Sequence, residues 1–294
     1  QANDWKAENY NPTQDSEHGP DNPGGYDAVN KYGDEVLANG NDDFDEAARI
    51  YDKGAGLGTF YRTGYKEKDL VDYGTDNLKL NSTLSYMLNN SLQLDYAFNY
   101  STGSTVYQGD NRYKLENIRF WQNKIELKQN DKFFIRVYST NENAGNTYDI
   151  VTTAFRLNEA DKEEGDWYND YERYWRRTGY KQVEALPGYV PYNQAIHASQ
   201  EEWYKTIYLP FLDANRGAIS IFHESNRKTT DVGRLDPGTN DFDSSFRDIT
   251  SRLFTDGGTR FYDQSALYHY QGEYKFKPTF GTITVGTSGR LYAP

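Results

Sequence analysis

Cysteine does not occur among the 294 residues, which excludes a disulfide framework, a thiolate metal site and a cysteine nucleophile. Histidine is nearly as scarce. His18, His197, His223 and His269 are scattered and none belongs to an HExxH pattern, so no zinc-hydrolase signature is present. No stretch approaches the ~18 to 20 consecutive apolar residues of a membrane-spanning helix. Positive charge is not in excess either, since the formal net charge of -12 argues against nucleic acid as a partner. The opening residues Gln1-Ala2-Asn3-Asp4-Trp5 have neither the basic start nor the apolar run of a signal peptide. For an exported protein this implies a mature or truncated chain.

What the chain does have is polarity. With 26% charged residues and a mean hydropathy of -0.95, it would ordinarily be placed outside membranes. A β-barrel evades that test, because only every second residue of a strand meets lipid and hydrophilic loops dilute the average. The 16% aromatic content suits interfacial girdles, loop packing and ligand stacking alike, and does not choose among them.

Period-two alternation is the strongest positive signal. In Leu78–Ser101, Leu78, Leu80, Leu84, Tyr86 and Leu88 share one face while Lys79, Asn81, Thr83 and Ser85 share the other. After Asn89-Asn90 the pattern resumes, with Leu92, Leu94, Tyr96, Phe98 and Tyr100 against Gln93, Asp95, Asn99 and Ser101. Two further segments repeat the design. Ile118–Lys128 sets Trp121, Ile125 and Leu127 against Gln122, Lys124, Glu126 and Lys128, and after Gln129–Asp131 the run Phe133, Ile135, Val137 opposes Arg136. Leu267–Phe276 sets Tyr268, Tyr270, Tyr274 and Phe276 against His269, Gln271, Glu273 and Lys275, followed past Lys277–Thr279 by Thr282–Arg290 with Ile283 and Val285 on the apolar side.

Within each hairpin the turn is short, whereas the connections from Thr102 to Asn117 and from Asn141 to Ala266 are long. Short turns at one end and long loops at the other characterise outer-membrane barrels. The expected fold is therefore all-β: an antiparallel transmembrane β-barrel fragment of about six strands, arranged as three hairpins, with long extracellular loops containing short helices. Residues 1–76 read as extracellular loop leading into the barrel, 77–140 as barrel hairpins with one medium loop, 141–266 as a long partly helical loop, and 267–294 as a further hairpin. About six strands cannot close a membrane barrel when the smallest single-chain examples use about eight, so a piece of a longer protein is expected.

The run Thr105-Val106-Tyr107-Gln108-Gly109-Asp110-Asn111-Arg112-Tyr113, then Gln122-Asn123-Lys124-Ile125-Glu126, Phe134-Ile135-Arg136-Val137-Tyr138 and Asn141-Glu142-Asn143-Ala144-Gly145-Asn146, resembles the early barrel of TonB-dependent outer-membrane receptors. The likeness is greatest to the variety with a carboxypeptidase-like regulatory domain ahead of the plug. Gly58–Tyr65, Leu70-Val71-Asp72-Tyr73, Phe261-Tyr262-Asp263 and Leu267-Tyr268-His269 extend it in the same order. The resemblance implies active nutrient uptake through a barrel of about 22 strands in the Gram-negative outer membrane. It further implies a plug coupled to the TonB complex, a small ligand such as a glycan, peptide or siderophore, in some cases a surface lipoprotein partner, no cofactor and no catalysis. Plug, TonB box and remaining strands are not in this sequence.

Receptor selectivity would lie in the loops. Asp166–Tyr180 places Trp167, Tyr171, Tyr174 and Trp175 at helical spacing, with Asp166 as N-cap and Gly179 as stop. Asp241–Phe254 and Ser199–Leu209, the latter ended by Pro210, read as two more short helices. Such stripes pack loops onto one another; alternatively Trp167, Tyr168, Tyr174 or Trp175 faces a vestibule and stacks on ligand. On the wall, Lys124, Glu126, Lys128, Arg136, His269, Glu273 and Lys275 fall on the polar side, where Arg136 could clamp a carboxylate bidentately. The acidic clusters Asp42-Asp43-Asp45-Glu46, before a short helix through Arg49, and Glu163-Glu164-Asp166 match no EF-hand spacing and read as solvated, with no metal site assigned. Two rival classes stay open: a soluble carbohydrate-binding or carbohydrate-active β-domain, with Asp166 and Asp170 imitating a glycosidase pair, and a passive porin-type barrel.

Overall fold

The computed structural model describes residues 31–34, 62–108 and 112–294. The cluster Asp42–Glu46, the helix expected through Arg49, and His18 lie outside the described residues. The chain passes between two units at Leu70/Val71, Thr153/Ala154 and Arg247/Asp248.

One unit is mainly helical. A ribbon of β1 (Lys31–Tyr32) and β2 (Tyr65–Lys66) leads into a single turn, α1 (Glu67–Leu70). The other helices are α2 (Ile150–Asp161), in this unit from Ala154 onward, α3 (Glu164–Tyr174), α4 (Tyr180–Glu184), α5 (Gln200–Trp203), α6 (Leu209–Ala214), α7 (Arg216–Thr230) and most of α8 (Asn240–Ser251). Side-chain caps explain several starts: Ser199 Oγ accepts from the Glu202 N–H at 3.0 Å, and Thr239 Oγ1 from the Phe242 N–H at 3.2 Å. Gly179 does not stop its helix. A π-helical turn, Trp175–Gly179, joins α3 to α4, because the missing side chain at Gly179 makes room for the Trp175 indole; a Cβ there would lie 2.4 Å from Cε3. A second π turn, Tyr204–Tyr208, joins α5 to α6, and Pro210 sits in the first turn of α6, where a missing N–H costs nothing, instead of ending the helix.

These turns aim Trp167, Tyr171, Trp175, Trp203, Tyr208 and Phe211 into one aromatic core with Val183 and Ile219. The segment around Arg62, which reads as loop from its polarity, is held in place by long-range bonds. Arg62 is buried and donates to the carbonyls of Asn158 and Lys162, both at 3.0 Å, with its guanidinium 5.4 Å from the Trp167 ring centroid. Asp231 accepts from the Trp167 indole N–H at 2.7 Å and from the Thr63 hydroxyl at 2.5 Å.

The other unit is a sheet. Strands β3 (Asp76–Met87), β4 (Leu92–Gln108), β5 (Arg112–Gln129), β6 (Phe133–Asn143), β8 (Gln264–Phe276) and β9 (Ile283–Ala293) pair antiparallel in that order, and β7 (Tyr148–Asp149) pairs with β5. The register follows the alternation: Leu84 lies opposite Tyr96, Tyr96 opposite Ile125, Ile125 opposite Val137, and Val137 opposite Tyr270. Turn chemistry fixes the hairpins. Asn89 Oδ1 accepts from the N–H groups of Ser91 and Leu92 at 2.9 and 3.0 Å, and Asp131 adopts a left-handed φ of 59°.

Three expectations need correction. The chain is not all-β but mixed α and β, because the amphipathic runs between β7 and β8 satisfy their backbone as helices. The seven-stranded antiparallel sheet is not closed into a barrel; β3 and β9 are its edges. Within the medium loop expected over 102–117, residues 102–108 and 112–117 instead form a β-ribbon, in which β4 and β5 continue past a bulge between Gly103 and Thr105 and place Tyr107 opposite Tyr113.

At that end of the sheet, Gly145 has a φ of +65°, and a Cβ there would lie 2.3 Å from the Glu116 carbonyl oxygen. Lys114 Nζ donates to the Asp72 carbonyl at 2.6 Å, and Phe261 meets Tyr113 edge-on at 5.2 Å. Asp149 caps α2, accepting from the Thr152 N–H at 2.8 Å.

Trp175→Ala is expected to destabilise the helical unit by about 3 to 5 kcal/mol. Gly179→Ala, which must displace the same indole, is expected to cost about 1 to 3 kcal/mol. Amide hydrogen exchange over residues 154–247 measures both; unchanged protection in either variant would remove the indole from the centre of that core.

Candidate functional site

The sheet inverts the usual relation between polarity and burial. On one face Leu84 is 69% exposed and Ile125 is 53% exposed, with Leu80, Ile135, Val137, Tyr268, Tyr270 and Val285 exposed around them. On the opposite face Asp95 and Glu126 are each only 7% exposed. Charged groups are almost never buried unless paired, and here they are paired. Lys128 Nζ lies 2.8 Å from Asp95 Oδ2, the Gln93 amide donates to Asp95 Oδ1 at 2.6 Å, and Arg136 forms an ion pair with Glu126. The row Asp95, Glu126, Arg136 follows from the register of β4, β5 and β6.

A second row is neutral. Asn99 Nδ2 donates to Gln122 Oε1 at 3.1 Å, and Gln122 Nε2 donates to Thr140 Oγ1 at 3.0 Å. It borders a groove of about 210 Å³ whose other lining residues include Lys79, Asn81, Ser101 and Phe120. A third row holds Tyr138 and His269, their rings 4.7 Å apart. Amide relays, an exposed aromatic ring and compensated charges can hold a hydrated, polar ligand; they form no nucleophile and base pair in hydrogen-bonding reach.

The residues expected to meet ligand fall in different places. Trp167 and Trp175 are fully buried in the helical core, so neither presents a ring face to a ligand. Their spacing served packing: Trp175 stacks on His223 at 3.9 Å, and Tyr171 Oη meets His223 Nδ1 at 2.8 Å. Tyr168 is half-buried against that core, and Tyr174 is half-buried with the Arg173 guanidinium 5.5 Å from its ring centroid. Arg136 does reach the polar face, but Glu126 already occupies its guanidinium, which also lies 5.1 Å from the Phe134 ring centroid. Asp170, half of the imagined glycosidase pair, is engaged by Lys162 at 3.0 Å and by Arg173. Alternation placed Lys124, Glu126, Lys128, His269, Glu273 and Lys275 on the polar side. Phe120, Tyr138 and Arg290 share that face by the same period of two, although an aromatic or strand-end setting kept them from standing out in the sequence.

Among the described residues no group of three or more His, Asp or Glu side chains could hold a metal ion, and no helix is long and apolar enough to cross a membrane. No family model, curated protein or solved structure matches the chain.

In the helical unit burial perturbs several titrations. The Tyr65 hydroxyl, donating to the Leu235 carbonyl at 2.9 Å, is pushed up to about 12 by burial, and burial also lowers the Arg62 guanidinium. Burial raises the Asp161 carboxyl, outweighing the opposing pull of Lys162 and Arg62. A carboxyl whose folded pKa lies above its unfolded value costs stability once both states are ionised, and that cost disappears as pH falls below the unfolded value near 3.9. Asp161→Asn is therefore expected to raise the melting temperature of the helical unit at pH 7, with the gain shrinking below about pH 4. Thermal melts followed by near-UV circular dichroism at both pH values check the sign, and a gain that grows on acidification contradicts it.

Proposed function

We propose that the sheet is a stretch of wall from an outer-membrane β-barrel of the TonB-dependent receptor type. Its apolar face meets lipid and its polar face looks into the lumen, while the chain between β6 and β8 supplies extracellular loop structure for uptake of a small nutrient. The inverted sheet carries this reading, because leucines and isoleucines left half-exposed beside buried, paired carboxylates are what a strand with lipid on one side requires. Apolar surface this contiguous is rarely left open to water.

Two further observations support it. Short turns at 88–91, 130–132 and 277–282 lie at one end of the strands, while the extended β4/β5 ribbon and the connection at 144–263 lie at the other. Tyr86 on β3 and Tyr274 on β8 are exposed on the apolar face near the short turns, where an interfacial girdle would lie, while Tyr96 and Tyr270 share the mid-strand row of Leu84. The reading carries a requirement: β3 and β9, the sheet's edges among the described residues, must find partner strands, since each unsatisfied backbone group in hydrocarbon costs on the order of several kcal/mol. A barrel of the receptor type supplies them.

The absence of native cysteine allows a direct test. Single cysteines at Leu84, Ile125 and Val137, and at Ala97, Gln122 and Thr140, would carry nitroxide labels in the chain inserted into phospholipid vesicles. The first set is expected to relax with dissolved oxygen and to be shielded from a water-soluble nickel complex, and the second set to behave in the opposite way. Equal water access on both faces, or labels on the first set packed beneath a second protein layer, would refute the lipid-facing assignment. Leu84→Arg is expected to cost about 2 to 4 kcal/mol in the lipid-embedded protein, against less than about 1 kcal/mol for Gln93→Arg on the polar face. Urea unfolding from vesicles compares the two, and equal penalties would count against the assigned facing.

A further inference from the structure

One cross-strand row of the polar face carries donors without acceptors. The register places Lys124 of β5 opposite Tyr138 of β6, Tyr138 opposite His269 of β8, and His269 opposite Arg290 of β9. With neighbouring strands about 4.8 Å apart, the two cationic residues stand roughly 14 Å apart at the backbone. Both are long and flexible enough to fold toward the rings between them. The Tyr138 and His269 rings lie 4.7 Å apart with 31° between their planes, which holds the imidazole in place. His269 is 8% exposed, and its Nδ1 is buried with no hydrogen-bond partner. An orphaned buried polar atom costs free energy and calls for a missing partner.

The carboxylates of this face do not supply that partner. Asp95 is held by Lys128 and Gln93, Glu126 by Arg136 and Lys128, Glu142 by the Ser265 hydroxyl at 2.5 Å, and Glu273 by Lys275 at 3.6 Å. Lys124 and Arg290 have no ion pair or hydrogen bond among the described residues. A single free lysine on a surface is ordinarily solvated. Two free cations flanking a buried imidazole with an unmet nitrogen form a different arrangement.

We propose that this row binds an oxyanion, the carboxylate or phosphate group of a ligand. The anion lies between the Lys124 ammonium and the Arg290 guanidinium, with the Tyr138 hydroxyl and a His269 N–H as further donors. Arginine contributes the planar two-point grip and lysine a movable point charge. The assignment rests on the register of β5, β6, β8 and β9 and is independent of what covers the apolar face, so it stands or falls separately from the barrel reading.

The test uses the full chain, labelled with nitrogen-15, in detergent micelles. The sequence has four histidines, and His269→Gln identifies the imidazole signals of interest. Sodium phosphate and sodium acetate are titrated separately at fixed pH, with sodium chloride holding ionic strength constant. A saturable shift of the His269 signals is expected with at least one of them. Saturation by phosphate alone, acetate alone or both identifies the anion group accepted. The double variant Lys124→Gln, Arg290→Gln is expected to weaken that binding at least about tenfold, while Lys277→Gln, in the exposed turn between β8 and β9, leaves it unchanged. Unchanged His197 and His223 signals report an intact fold; if the double variant does not refold, the two single variants are read instead, each with a smaller loss. A linear drift matched by chloride, an unaffected Lys124 and Arg290 variant, or an equal loss in Lys277→Gln would overturn the site.

Discussion

Everything observed on the sheet depends on the antiparallel ladder that runs from β3 to β9 without slipping. Side chains alternate with a period of two, so a one-residue shift between any two strands would carry a whole row of leucines and tyrosines to the other face. The ladder prevents this by joining Leu84, Tyr96, Ile125, Val137 and Tyr270 into one line and Asp95, Glu126 and Arg136 into the next. Parity, once set by the hairpin turns at Asn89 and Asp131, sorts every residue into one of two environments. The bulge between Gly103 and Thr105 lies beyond the last of these rows, where the ribbon continues.

The helical unit answers to a different constraint, the volume of indole and phenol rings. Its core residues are spaced for α-helix, and Trp175 and Tyr208 are two of the large rings that must be buried in it. The chain accommodates both with π-helical turns. Polar atoms on the large rings then need partners, and Asp231 provides one for Trp167 while also receiving the Thr63 hydroxyl. In this way residues 62–65 become part of the core's hydrogen-bond inventory. Arg62 fits the same scheme: a guanidinium driven from water by burial is tolerated because two carbonyls accept from it and an indole face lies beside it.

These two constraints differ in how visible they are in sequence. Alternation is local, so the strands of all three hairpins and the side on which Lys128, Arg136 and Glu273 stand were legible residue by residue. The helical stripe at Trp167, Tyr171 and Trp175 was legible as a stripe, but a stripe records only that a face is covered, and both tryptophans proved to be covered by their own unit. Gly179 and Pro210 misled because their usual meaning is termination, whereas here one makes room for a ring and the other occupies a first turn. Residues 62–65 were illegible for a deeper reason. Their contacts lie at 158–162 and 231–235, and no window along the chain contains both partners. The ribbon formed by residues 102–108 and 112–117 was hidden by polar residues that carry no alternation.

The polar face shows what registration adds beyond alternation. A list of charged residues on that side does not distinguish Lys128, held by two carboxylates, from Lys124 four residues earlier, held by none. The difference arises across strands: Lys128 reaches Asp95 on β4, while the residues in line with Lys124 are Ala97 on one side and Tyr138 on the other. Paired charges in a partly buried setting contribute little net stability, because desolvation offsets most of their attraction. Breaking one pair, however, strands its partner, so the quartet of Asp95, Glu126, Lys128 and Arg136 resists rearrangement and is poorly suited to exchange its contacts with a ligand. Groups left outside such pairs keep their hydrogen-bonding capacity for whatever enters. If the sheet serves as the proposed wall, the surface left for a ligand is found by subtracting the engaged charges, and what remains is the amide row beside Phe120 and the donors that flank His269.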